Sequence, residues 1–435
     1  MENQTKPNLR YAWYVVFILL LANISSFVDR SILALLVEPI KRDLHLTDTQ
    51  ISLLMGLSFA LFYTFFGVLI GHFADKFNRR NIIIAGITVW SLMTALCGGV
   101  QTFNQFFLSR IGVGVGEATL SPSAYSMISD YFPKNKLSRA LSTYALGSFL
   151  GTGVAILIGG LLISYLPTRG TIYVPILGEI FQWQMLFVYI GLPGFLIALL
   201  VFTVKEPIRK DAGQVSETKA TLKEALEIIW IKRKAYLPMC VATAFTAFVG
   251  YGSSAWIPTF FQRTFGWEMQ EVAGKYGIVS TIFSTLGVLA GGWLADRYQK
   301  QGVLNGKVRV GLISGFGIFL SVLVFFINDP NMLILASAFP AFFIAFPIGA
   351  AVAAVQELMP NRVRALASSI YLFFVNIIGM GAGPFTVAFF TDSIFHDEKM
   401  IKHSLLALYI IGGLATIIFY ALALKPYREE ISKAA

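Results

Sequence analysis

Apolar residues run along this chain in long blocks separated by short polar breaks. The blocks fall at 12–39, 49–73, 81–102, 104–130, 138–165 and 182–204. A second set falls at 236–261, 270–295, 308–327, 331–358, 364–391 and 401–424. Each holds about twenty or more largely apolar residues, the length that a bilayer core requires. A segment in lipid must satisfy its own backbone groups, so each block predicts a spanning helix. The expectation is an all-α membrane protein with twelve transmembrane helices. One long polar stretch interrupts the pattern and predicts the layout: a six-helix bundle over 1–204, a linker over 205–235, and a second six-helix bundle over 236–435. Within the linker, KEALEIIWIKRK has an amphipathic pattern and is expected to lie along the inner membrane surface.

Composition agrees with the pattern. The chain is 56% hydrophobic and 13% charged, whereas a soluble chain carries charge at about a quarter of its positions. The formal net charge of +10 would suggest a nucleic-acid partner on a soluble protein, but here the basic residues sit in short loops and no such partner is expected. With the N-terminus inside, about 25 basic residues flank the inner side against about 7 on the outer, which places both termini in the cytoplasm. Cys97 and Cys240 lie in apolar runs and read as packing residues. The four histidines lack ligand spacing, so neither a metal nor a cofactor is expected. The first apolar run is too long for a cleavable signal segment.

The chain repeats itself. GHFADKFNRR (71–80) recurs as GGWLADRYQK (291–300), with Asp75 and Asp296 separated by 221 residues. FPKNKLSRALS recurs as MPNRVRALASS, with Arg139 and Arg364 separated by 225. Parallel repeats of six helices around a midplane site are a transporter plan. Gly71, Asp75, Lys76 and Arg79, with Asp296, Arg297, Arg139 and Arg364, are therefore expected to form a conformational gate at helix ends. Carboxylates beside basic clusters can pair in one state and release in another.

Four charges lie inside predicted helices: Asp29 and Arg30 in the first span, Arg110 and Glu117 in the fourth. A charge at a helix centre costs about 2.5–3.5 kcal/mol on an insertion scale, so each needs a partner or water. The seven-residue step from Arg110 to Glu117 is nearly two turns, placing both on one face about 10 Å apart along the axis. Gly112, Gly114 and Gly116 between them leave room for a neighbouring backbone or a ligand. The four form either a structural salt-bridge network or a substrate and proton site. Intramembrane ionisable groups mark pathways as a rule. The second half has no equally deep charge. It offers Tyr251, Trp256, Phe373 and Asn376 as candidate lining residues. One charged wall and one apolar, aromatic wall would suit an amphiphile with an anionic head.

The two six-helix halves and the duplicated G-x-x-A-D-Lys/Arg motif resemble the major facilitator superfamily over essentially the whole chain. The first copy has Asn78 where glycine is usual, and the second degenerates after Arg297. FVDRSI together with RIGVGVGEATLSPSAYSMISDYFP resembles the Spinster-like branch. Sugar-acid symporters also pair Asp-Arg with G-x-G-E-A but usually read GEAP, where this chain has Thr119. The resemblance implies that Arg30 and Arg110 face a substrate cavity. It also implies that Glu117 carries a coupling proton, with Asp29 as an acidic neighbour. Characterised eukaryotic relatives of that branch move lysophospholipids and sphingosine-1-phosphate. The expectation is a monomeric, proton-driven transporter of an anionic, lipid-like solute, a multi-pass protein set among membrane lipids, in the inner membrane if the source is bacterial. A sugar-acid symporter, a multidrug exporter and a non-transporting sensor are the alternatives.

Overall fold

The computed structural model describes residues 9–165, 170–175, 178–207, 222–360 and 363–433. The first part of the chain forms α1 (Leu9–Leu35), α2 (Val37–Leu44), α3 (Asp48–Ser52), α4 (Ser58–Lys76), α5 (Arg79–Cys97), α6 (Phe103–Glu117), α7 (Leu120–Tyr131), α8 (Lys134–Tyr165) and α9 (Gln184–Phe202). The second forms α10 (Leu222–Ile231), α11 (Arg233–Phe265), α12 (Met269–Lys300), α13 (Gly306–Leu320), α14 (Pro330–Ala336), α15 (Ala338–Ala345), α16 (Ile348–Leu358), α17 (Arg364–Phe374), α18 (Gly383–Phe389) and α19 (Ile401–Ser432). Among the described residues, ten helical segments are long and apolar enough to cross a membrane.

Two expected spans are not among those ten. The segment over 103–131 breaks in two at Ala118 and Thr119. Pro122 has no N–H to give the carbonyl four residues back, so the break sits where the ladder fails. Glu117 thereby becomes the last residue of α6. The other, α8, is helical, but some of its side chains lie outside the described residues.

One short hairpin accompanies the helices. Thr171–Val174 (β1) pairs antiparallel with Gly178–Phe181 (β2), with Thr171 opposite Phe181 and Val174 opposite Gly178. Thr, Ile, Tyr and Val favour an extended, half-exposed surface. Gly178, at φ +77°, adopts a conformation that costs a glycine little.

The chain divides into two compact units. Unit 1 is Met1–Leu46 with Ser58–Gln214, and unit 2 is Thr47–Leu57 with Val215–Ala435. Unit 2 thus claims α3 and the π-helical turn Leu53–Leu57 that follows it. Asp48, fully buried at the start of α3, is gripped through both oxygens by Arg263, at 2.6 and 2.8 Å. Thr49 donates its N–H and its hydroxyl to Asp392 Oδ2, at 2.7 and 2.8 Å.

Within unit 1, α1 packs along α8 and α9, and α5 along α6 and α9. The α5–α6 crossing brings backbone against backbone. A methyl on Gly116 would stand 2.7 Å from the Trp90 nitrogen and 2.9 Å from Gly86 O. Small residues permit such an approach, which buried helices in lipid use for packing. The interior of unit 2 is aromatic and aliphatic: Tyr236, Met239, Val355, Leu358, Tyr371, Tyr420 and Tyr427 share one cluster.

Candidate functional site

The four intramembrane charges meet inside unit 1, and they pair crosswise. Asp29 sits on α1, 2% exposed; Arg110 sits on α6, 1% exposed. Arg110 Nη1 donates to Asp29 Oδ1 at 2.9 Å. Arg30, the next residue on α1, sends Nε to Glu117 Oε2 at 2.6 Å. The helix turn of about 100° between Asp29 and Arg30 sends them to different partners. Each ion pair has unit charges of both signs, so the cluster is neutral. That is the condition under which buried charge is tolerated.

Hydroxyls complete the cluster. Thr94, on α5, donates to Asp29 Oδ2. Ser26, on α1, donates to Glu117 Oε2 at 2.5 Å. The two carboxylates therefore differ. Asp29 uses both oxygens, one on Arg110 and one on Thr94. Glu117 takes Arg30 and Ser26 on Oε2 alone, and its buried Oε1 meets no protein donor. The Arg30 guanidinium carbon lies 4.8 Å from the Phe27 ring centre, 4.5 Å from Phe59 and 4.7 Å from Tyr63. Cations within about 6 Å of a ring centre are attracted to its face.

The glycines beside Glu117 are packing positions. Gly116 meets the α5 backbone, Gly112 meets Met93, and Gly114 seats Phe59. Sequence reasoning left a neighbouring backbone and a ligand both open; these glycines make room for protein. It missed Ser26, Thr94, Phe27, Phe59 and Tyr63. Ser26 is four residues before Arg30, one turn away on the same helix face, and that spacing was a usable signal. Thr94, Phe59 and Tyr63 come from other helices and carried none.

The candidate lining residues of the second half come from α11 and from the short stretch 373–376. Trp256 is fully buried, and its indole N–H donates to Pro384 O at 2.9 Å, which makes it a core residue. Tyr251 is half-buried on α11. Phe373 is 51% exposed on α17, edge-on to Phe374. Asn376 lies in the π-helical stretch Val375–Ala382.

Among the gate candidates, Gly71, Asp75 and Lys76 end α4, and their side chains lie outside the described residues. Arg79 is buried at the start of α5. It donates to Asp130 at 2.5 Å, Ser126 at 2.7 Å, Glu206 at 2.7 Å and Pro207 O at 3.2 Å. Glu206 also accepts the Arg80 N–H at 3.0 Å, where the first turn of α5 favours a negative charge. Asn78, where the motif usually has glycine, caps the same helix by accepting the Asn81 N–H at 3.1 Å. Arg139 is exposed, 5.8 Å from the Trp13 ring. Asp296 and Arg297 are both exposed. Arg297 lies against Trp293, and Asp296 makes no ion pair among the described residues. Arg364 reaches Met359 O at 3.5 Å.

Comparison with known proteins agrees with this architecture. The Major Facilitator Superfamily profile matches residues 19–384. An MFS-type efflux pump of Mycolicibacterium smegmatis is 30% identical, over 98% of this chain and 96% of its own length. Protein spinster homolog 1 of Xenopus tropicalis is 26% identical, over 97% of this chain and 82% of its own. The crystal structure of a bacterial homologue of the human lysosomal transporter Spinster, inward-facing and unoccupied, superposes with a TM-score of 0.78. It has 27% identity and covers 97% of each chain. The chain belongs to the major facilitator superfamily, and within it to the Spinster-like transporters.

Proposed function

We propose that the chain is a proton-linked secondary active transporter of an anionic, amphiphilic, lysolipid-like solute. It works by alternating access of two six-helix bundles, twelve spans in all, with both termini cytoplasmic. The proton gradient drives it without a cofactor, in the inner membrane if the source is bacterial. The observation that carries this reading is the difference between the two buried carboxylates. A proton can join Glu117 Oε1 without displacing any donor, whereas protonating Asp29 costs it a hydrogen bond to Arg110 or Thr94. Glu117 is therefore the proton carrier and Asp29 the anchor of Arg110.

Neutralising Glu117 weakens its hold on Arg30 and leaves one positive charge in excess. A guanidinium offers paired donors to a carboxylate or phosphate, so Arg30 is the anion contact. Proton and anion then bind together. The resemblance to lysolipid-moving relatives supports an amphiphile. The relative named an efflux pump supports a second reading, export of drug-like solutes through the same site.

The test is uptake of a labelled lysophospholipid into proteoliposomes under an imposed pH gradient, with hexonates and drugs as competitors. Wild-type uptake should follow the gradient. Glu117→Gln, which mimics the protonated carboxyl, should lose gradient-driven uptake about 100-fold while still being stabilised by the ligand in thermal melting. Uptake indifferent to pH, with Glu117→Gln transporting normally, would remove Glu117 from the mechanism.

A further inference from the structure

We propose that the C-terminal end of α10 is a binding site for an anionic phospholipid of the surrounding membrane. Trp230 and Ile231 meet its acyl region, and Arg233 and Lys234 meet its phosphate.

An amphipathic surface helix has one apolar face as a rule. On α10 the structure shows apolar residues on two. Ala225 and Ile229, one turn apart, are buried in the unit 2 cluster that also holds Tyr236, Leu358 and Tyr427. They use up the face that packs on protein. Leu226, Trp230 and Ile231 lie outside it, 47%, 64% and 71% exposed. Water alone would favour polar residues there. But α10 runs through the turn at Lys232 straight into α11, one of the helices long and apolar enough to span. Its outer face therefore lies where a bilayer begins, the level at which tryptophan is enriched.

Charge at the end of the helix selects the lipid. Lys232, Arg233 and Lys234 follow one another, while the acids Glu224 and Glu227 lie nearer the start of α10. Lys232 turns inward: its ammonium donates to Leu358 O at 2.7 Å and stands 3.8 Å from Glu430. Arg233 stays beside the exposed ring. Its Nη1 donates to Trp230 O at 2.8 Å, and its guanidinium carbon lies 4.5 Å from the centre of the Trp230 ring. That hydrogen bond uses one of the five N–H donors of an arginine. Lys234 is exposed and makes no ion pair among the described residues. Basic residues beside a span attract anionic headgroups. Phosphatidylglycerol brings a phosphate and no cation to this pair, whereas phosphatidylcholine brings a cation of its own.

The experiment places the purified protein in phosphatidylcholine nanodiscs that contain a small, equal share of brominated phosphatidylglycerol or brominated phosphatidylcholine. The Trp230 signal is the emission of each protein less that of the same protein carrying Trp230→Phe. Its quenching should be about threefold stronger with brominated phosphatidylglycerol. That preference should vanish when Arg233→Gln and Lys234→Gln are combined, and should fall in high salt. Lys300→Gln, which removes an exposed basic residue at the end of α12, should leave it intact. If the double variant fails to fold, Lys234→Gln and the salt dependence carry the test. Equal quenching by the two lipids overturns the site, as does a preference that survives both the double variant and high salt. A preference that Lys300→Gln also abolishes belongs to the net charge of the protein and not to α10. Absence of quenching by either lipid would mean that something other than lipid covers Trp230. No substrate enters this measurement, so its outcome is separate from that of the transport assay.

Discussion

In unit 1, two acids and two arginines meet, Asp29 and Arg30 from α1 with Arg110 and Glu117 from α6, all buried or nearly so. In unit 2, the polar contacts between the helix ends are neutral among the described residues: Thr243 with Tyr420 at 2.8 Å, Ser253 with Tyr409 at 2.9 Å, and Trp256 with Pro384 O. Among the described residues, ion pairs in unit 2 stay near helix ends, as in Asp48–Arg263, Lys307–Glu357 and Lys232–Glu430. Neutral hydroxyl pairs fasten helices at little risk, since losing one leaves only a modest unsatisfied group. A charged pair is a poor fastener, because its desolvation cost offsets much of its attraction. It does respond to a proton, which a hydroxyl pair does not. The difference between the units is thus between a region that buries charge and one whose described interior polar contacts are neutral.

The sharpest way to break the comparison is to remove one member of the Asp29–Arg110 pair. Arg110→Leu strands a buried carboxylate and should cost about 3–5 kcal/mol, read as a lowered melting temperature of the purified protein. Asp29→Asn combined with Arg110→Gln removes both charges. It should recover most of that stability while transport stays lost. A single variant as stable as the wild type would mean that the cluster is solvated.

Next in size is the helix crossing. Gly116→Ala drives a methyl against the α5 backbone and should cost about 1–3 kcal/mol by overpacking. Gly292 in unit 2 shares its helical setting, but a methyl there meets nothing within 4 Å. Gly292→Ala should be neutral or stabilising by up to about 1 kcal/mol, from the lower helix propensity of glycine. Equal losses at the two sites would deny that the Glu117 region depends on close backbone approach.

The smallest effect belongs to the neutral interior of unit 2. Tyr420→Phe removes one hydroxyl–hydroxyl bond and should cost about 1 kcal/mol, with the KM for substrate unchanged. A large change in KM would bring this pair into the transport site.

Much of the site was legible because charge in an apolar run stands out. Asp29, Arg30, Arg110 and Glu117 could be picked out from the run of residues around them. Their pairing could not. Chain order sets Asp29 beside Arg30, and helical spacing puts Arg110 and Glu117 on one face, yet the ion pairs cross from one helix to the other. Trp256 shows the reverse error. An aromatic in a membrane helix reads equally well as lining or as core, and only the carbonyl of Pro384 decides the matter. The β1–β2 hairpin escaped because a reading built on apolar runs treats whatever lies between them as loop.

Hydropathy, the repeat at 221 and 225 residues and the charge bias of the loops are sums along the chain. The sequence by itself therefore determined the membrane class, the placing of the helical runs and which residues bear the unusual cost. The tertiary structure alone decided who shares that cost with whom. Contact with Ser26, Thr94 and the rings around Arg30 depends on how α1, α4, α5 and α6 cross, to within a fraction of an ångström. That crossing is set by glycines such as Gly86 and Gly116, whose effect is to bring two backbones together rather than to contribute a side chain.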